Sequence, residues 1–187
     1  MIKSLIFAAC LPIFLGCGKP EQKRPDSFFD PDLLPYFYDF MLEARAHRRD
    51  TSAIDELVVL RYDENLPRGV AGLCDILTLE VAGHLPGSGG GSITWREIRI
   101  DKKERRGDGR FKVLVYHELA HCGLHAQHDL ENPRAIMAPY LPATAADAEE
   151  VWEMAVAELM ATKPGPPASA SARNDPATSS HRCDVHR

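Results

Sequence analysis

The order of patterns along the chain predicts an α+β fold: one helix, then strands, then two further helices. Three observations carry that prediction. Apolar residues recur at helical spacing around residues 37–44, 111–122 and 151–160. Alternating or β-branched runs fill the interval between the first two of these stretches. Polar, proline-containing segments lie outside them, so a single domain of residues 30–162 is expected. The chain has 187 residues, enough for one such domain with short appendages. Hydrophobic residues make up 44% and charged residues 26%, which excludes a wholly disordered chain or one with many membrane spans. The net charge of −5 leaves no global basic field for nucleic acid.

The first helix opens at Asp30-Pro31-Asp32 and Pro35, which are helix-start residues. Phe37, Phe40, Met41 and Ala44 then fall on one face. Arg45, His47, Arg48 and Arg49 crowd its end, where the helix dipole favours cations. Glu56–Tyr62 reads as a strand and Asp75–Val81 as a second. Gly87–Ser92 reads as a flexible loop. Ile93, Trp95, Ile98 and Ile100 mark a third strand, and a slip in alternation near Glu97 predicts an irregularity there. Arg105, Arg106 and Arg110 are interrupted by acids and read as a solvated loop.

Asp108 and Gly109 can cap a second helix from Arg110 to about Gly123. Phe111, Leu114, Val115, Glu118, Leu119 and Cys122 share a face of it. Asn132–Pro142 is irregular, with prolines that interrupt any regular element. Thr144 and Asp147 form a capping-box pattern before the last helix. Val151, Trp152, Ala155, Val156, Leu159 and Met160 give that helix its apolar side.

The ends carry different signals. Residues 1–17 combine one Lys, an apolar run from Leu5 to Leu15 and a Gly16-Cys17 ending, the form of an export signal. Phe14-Leu15-Gly16-Cys17 resembles a bacterial lipobox, which implies lipidation of Cys17 and a place in the cell envelope, with membrane contact through the lipid. A plain cleaved signal or an uncleaved anchor is the alternative. Residues 18–29 suit a tether and residues 163–187, rich in Pro, Ala and Ser, a disordered tail. Of the five cysteines, none forms a C-x-x-C pair. Export makes a Cys74–Cys122 disulfide permissible, with two buried free thiols as the alternative.

Four of the eight histidines fall between residues 117 and 128. On a helix, His117 and His121 lie about 6 Å apart along the axis and roughly 40° apart around it, so both can reach one ion. Zinc suits two imidazoles, needs a third ligand and keeps an open position when catalytic. Glu118 stands beside His117, placed to take a proton from a water at the ion without ligating it. Without a bound cation, Glu118 puts a carboxylate on an otherwise apolar face, which is costly. A straight helix would carry His125 about 12 Å from His117, so the chain must turn before a third ligand returns. Gly123 is a candidate terminator, and His128 then has the room; His128 is favoured over His125.

This H-E-x-x-H pattern with a later His, followed by Ala135-Ile136-Met137-Ala138-Pro139-Tyr140, resembles the metzincin zinc peptidases and their Met-turn. It is more similar to a group of bacterial lipoproteins and secreted proteins regarded as metallopeptidases. Their pattern is matched by His117, Glu118, Leu119, His121, Cys122, Leu124, His128, Asp129, Ile136 and Met137. Ala120 and His125 stand where that group has Gly. The resemblance covers residues 30–160. It implies a zincin-like fold: a small twisted sheet against an N-terminal helix, an active-site helix and a C-terminal helix. It also implies one zinc held by His117, His121 and His128, Glu118 as general base, Met137 packed beneath the ion, and peptide or protein substrates. Tyr140, three residues after Met137, is a candidate donor to the oxyanion.

Two other readings stand beside it. A gluzincin-type site would draw its third ligand from Glu149, Glu150 or Glu153. A non-enzymatic, zinc-binding lipoprotein, or a peptidase inactivated by its departures from the pattern, would keep the ion without hydrolysis. The strand Ile93–Ile100, which precedes the active helix, is expected to offer an edge for an extended peptide.

Overall fold

The computed structural model describes residues 29–55, 58–81, 91–162 and 180–182. The expected export signal with Cys17, the expected tether up to residue 28, residues 87–90 of the expected loop and most of the expected tail lie outside the described residues. Helix α1 (Leu34–Ala46) follows a single 3-10 turn at Pro31–Leu33. A four-residue helix, α2 (Ser52–Asp55), comes next. Three strands follow: β1 (Val58–Asp63), β2 (Gly72–Val81) and β3 (Gly91–Asp101). Helices α3 (Gly109–Leu124) and α4 (Ala145–Ala161) come after them, and β4 (Ser180–Arg182) closes the order. The α+β class is therefore observed, with a small mixed sheet and helices packed on it.

The sheet order is β1-β3-β2-β4. β1 runs parallel to β3, while β2 is antiparallel to both β3 and β4. This order corrects two expectations. β3 lies between β1 and β2, and β1 covers its Arg96–Asp101 stretch, so over that stretch it has no open edge for a peptide; strand neighbours are set by topology, which periodicity along one strand does not reveal. Nor is there an irregularity at Glu97: the β2–β3 register runs unbroken from Gly72↔Ile100 to Val81↔Gly91. The slip arises because Trp95 is buried on the opposite face from Ile98 and Ile100. That outer face also carries an ion network. Arg99 pairs with Asp63 at 3.2 Å and with Asp75, and Arg61 pairs with Glu97 at 2.6 Å.

The inner face meets α3. Leu60, Cys74, Ile98 and Ile100 are fully buried there, in one cluster with Leu114, Val115 and Leu119 of α3. Phe40 of α1 and Trp152 of α4 flank Tyr116, with ring centroids 5.3 and 4.7 Å away. Consequently α3 is buried on all sides from Val113 to Leu124, and not on one stripe only. Asp108 caps it by accepting from the Phe111 N–H at 3.0 Å. The capping box at Thr144 and Asp147 forms as expected.

Gly123 does not end the helix. It lies within α3, and a Cβ there would sit 1.7 Å from Ile54 Cδ1, so its lack of a side chain admits α2. The left-handed terminator is His125, at φ 52°. The His125 and Ala126 N–H groups both reach back to the Ala120 carbonyl, the latter at 3.1 Å, and so satisfy one of the last helix carbonyls. The expected tail also acquires structure at three residues, where β4 pairs with Leu73–Asp75. Composition gave no sign of this, because main-chain pairing on a sheet edge needs no particular side chains.

Cys74 and Cys122 form a disulfide, with Cα atoms 5.7 Å apart across 48 residues of sequence. It ties β2 to the last turn of α3. Loop closure of that length contributes about 4 kcal/mol in the chain-entropy view. Replacing both cysteines by Ala should lower unfolding stability in urea by roughly 2–4 kcal/mol. Intact mass should show one disulfide before reduction, and two free thiols in the untreated protein would contradict this bond.

Candidate metal centre

The final two turns of α3 and the loop after it build one cluster. His117 and His121 project from α3 with Nε2 atoms 3.0 Å apart. His128 returns from the loop, and its Nε2 lies 3.2 Å from each of the others. His117 and His121 are buried and His128 half-buried. These three can hold a metal ion. The chain turns after α3 and brings His128, not His125, into the cluster. His125 spends its position on the left-handed helix end.

Hydrogen bonding fixes which nitrogens face inward. His117 Nδ1 is 2.7 Å from the Ile136 carbonyl oxygen, and His121 Nδ1 is 2.8 Å from that of Ala126. A carbonyl oxygen only accepts, so both Nδ1 atoms carry the proton. In the neutral rings Nε2 then presents a lone pair to its neighbour. Two lone pairs 3.0 Å apart repel unless a cation or a proton stands between them. Burial pushes the His117 imidazole from its ordinary 6.5 down to about 4, opposed by its bond to Ile136 and aided by His128. Neutral imidazole is the ligand form, and the Nδ1–carbonyl bonds are the usual second shell of a metal-bound His.

The loop holds itself in place. The Asp129 N–H donates to the Met137 carbonyl at 2.8 Å, and the Ala138 N–H to that of Ala135 at 3.1 Å. Asp129 Oδ1 accepts from the backbone of Glu131 and Asn132, both at 3.0 Å. Asn132 Nδ2 then donates to Glu158 of α4 at 3.0 Å. Met137 is buried in the core, in the tight turn whose Ile136 carbonyl bonds His117. A cavity of about 470 Å³ opens beside His128, lined by Asp129, Leu130, Met137, Glu158 and Leu159 among others.

Glu118 has no exposed surface and lies against β2. A Cβ at Gly72 would sit 2.5 Å from its Oε1 and 2.7 Å from its Cδ, so only glycine admits the carboxyl there. Tyr140 is half-exposed on the loop beyond Met137. Glu149, Glu150 and Glu153 are exposed on α4 and stand outside the histidine cluster. Glu149 packs beside Gly109, at the opposite end of α3. Sequence reasoning missed Gly72, the loop-closing role of Asp129, and the two carbonyl acceptors. Backbone acceptors leave no trace in residue types, whereas Asp129 followed by Asn132 and Pro133 carried a turn signal. No protein-family model, curated protein or solved structure matches the chain.

The depressed His117 pKa has a consequence for the metal-free protein. Unfolded His117 takes up its proton near pH 6.5, whereas the folded protein resists protonation until about pH 4. This group's contribution is complete above pH 6.5 and is lost as pH falls toward 4, by about 3 kcal/mol. Urea titrations of chelator-treated protein between pH 7 and 4 should show that decline, and His117→Gln should flatten it. A profile unaltered by His117→Gln would contradict the assignment.

Proposed function

We propose that this chain is a zinc-dependent peptidase of zincin-like fold, related in its site to the metzincins and held at the bacterial cell envelope by lipid on Cys17. The observation that carries the reading is the convergence of three Nε2 atoms, two of them with Nδ1 committed to backbone carbonyls. Nitrogens bound to one tetrahedral zinc at about 2.0–2.1 Å stand roughly 3.3 Å from one another. The separations of 3.0, 3.2 and 3.2 Å fit that ion closely. Three imidazoles with no fourth protein ligand in the cluster among the described residues suit a catalytic rather than a closed structural site.

His117, His121 and His128 would hold the ion. When bound, zinc supplies a Lewis acid that acidifies water and polarises a carbonyl oxygen. Glu118, next to His117 and shielded from solvent, would accept the proton of the attacking water at a carboxylate oxygen and return it to the leaving amine. Gly72 supports this role, since it leaves the space the carboxyl occupies. Tyr140 would donate its O–H to the developing oxyanion, and Met137 would pack beneath the ion without ligating it. The cavity beside His128 gives a substrate side chain a place next to the reacting centre.

Two variants separate ligand from neighbour. His128→Ala should lose most bound zinc, measured by elemental analysis after dialysis. His125→Gly should keep it, because glycine suits the left-handed position. Glu118→Ala should retain the ion yet lose about 100- to 10,000-fold in hydrolysis of denatured protein or a peptide library. Equal zinc in wild type and His128→Ala would refute the site. Equal cleavage by Glu118→Ala would refute the mechanism.

A further inference from the structure

β2 gives its inner edge to β3 along all ten residues, but its outer edge to β4 only at Leu73–Asp75. Among the described residues no other strand pairs with that outer edge. The covered stretch belongs to the site. Gly72 touches the Glu118 side chain, and Cys74 is bonded to Cys122 one residue beyond His121. An open sheet edge presents a row of N–H and C=O groups, so it accepts extended chains through main-chain bonds with little regard for sequence. Among the described residues this pairing covers three positions.

We propose that Ser180–Arg182 is a built-in occupant of the outer edge of β2, which an incoming extended peptide must displace. The peptidase reading enters only in making the displacing chain a substrate; occupancy by the chain's own segment stands without it. An intramolecular segment competes at an effective concentration on the order of millimolar. A free peptide making the same bonds is therefore excluded until it reaches a comparable concentration or offers more pairing.

The test uses the full chain, freed of metal by chelation. In an antiparallel ladder alternate residues aim their N–H at the partner, so one of any two neighbours donates to it. Ser180→Pro together with His181→Pro removes that donor in either phase. Hydrogen–deuterium exchange over residues 72–76 should be faster in this variant than in wild type. A control with Ser180→Ala and His181→Ala, which keep the backbone N–H groups, should match wild type. A synthetic peptide of sequence ATSSHR should bind the Ser180→Pro/His181→Pro variant at least about tenfold more tightly than wild type, and should restore slow exchange there. Identical exchange and peptide affinity in the variant and wild type would overturn the proposal, even if both cleave peptides when loaded with zinc. Faster exchange and tighter peptide binding without any cleavage would uphold it while ending the peptidase reading.

Discussion

Two buried imidazoles face each other across 3.0 Å because each has already given its other N–H to a backbone carbonyl. That commitment orders the rest of the site. The Ile136 acceptor belongs to the tight turn containing Met137, and the Ala126 acceptor to the chain just beyond α3. The loop must therefore fold back over α3 to satisfy the helix's own histidines. In doing so it carries His128 to within 3.2 Å of both. The bond from the Asp129 N–H to the Met137 carbonyl closes the circuit. The three imidazoles, the turn and the carbonyl acceptors are thus one hydrogen-bonded unit, of a kind that can hold a cation.

The other half of the arrangement is steric. α3 is buried on all sides, so its neighbours approach only where side chains are missing or matched. Gly123 lets Ile54 lie on the helix, and Gly72 lets the Glu118 carboxyl lie against β2. The Cys74–Cys122 disulfide joins the same two elements one turn along from Glu118. Helix and strand are held at a spacing that fixes the depth of Glu118. A buried carboxylate one residue from a metal ligand is costly as an ornament of the core and useful as a base, which is why it supports a catalytic reading over a purely structural one.

Local periodicity and caps were legible in the residues. The helices begin at Asp108 and Thr144 with the expected caps, and the i, i+4 histidine pair faces one point as helix geometry requires. The rise of a helix requires a turn before a third histidine can return; that turn comes at His125, not at Gly123. What failed to show was non-local. The central place of β3 depends on which strands meet, and the buried outer face beneath Trp95 mimicked a slip in register. Gly123 looked like a stop signal, but its missing side chain serves Ile54, a residue far away in sequence. The four residues of α2 are too few for a 3.6-residue period to declare itself, and β4 pairs through its main chain.

X-ray absorption at the zinc edge of the zinc-loaded protein examines the coordination directly. The spectrum should show three imidazole nitrogens and one further light ligand at about 2.0–2.1 Å, with no sulfur scatterer. Fewer than three imidazoles, or a sulfur shell near 2.3 Å, would contradict this coordination.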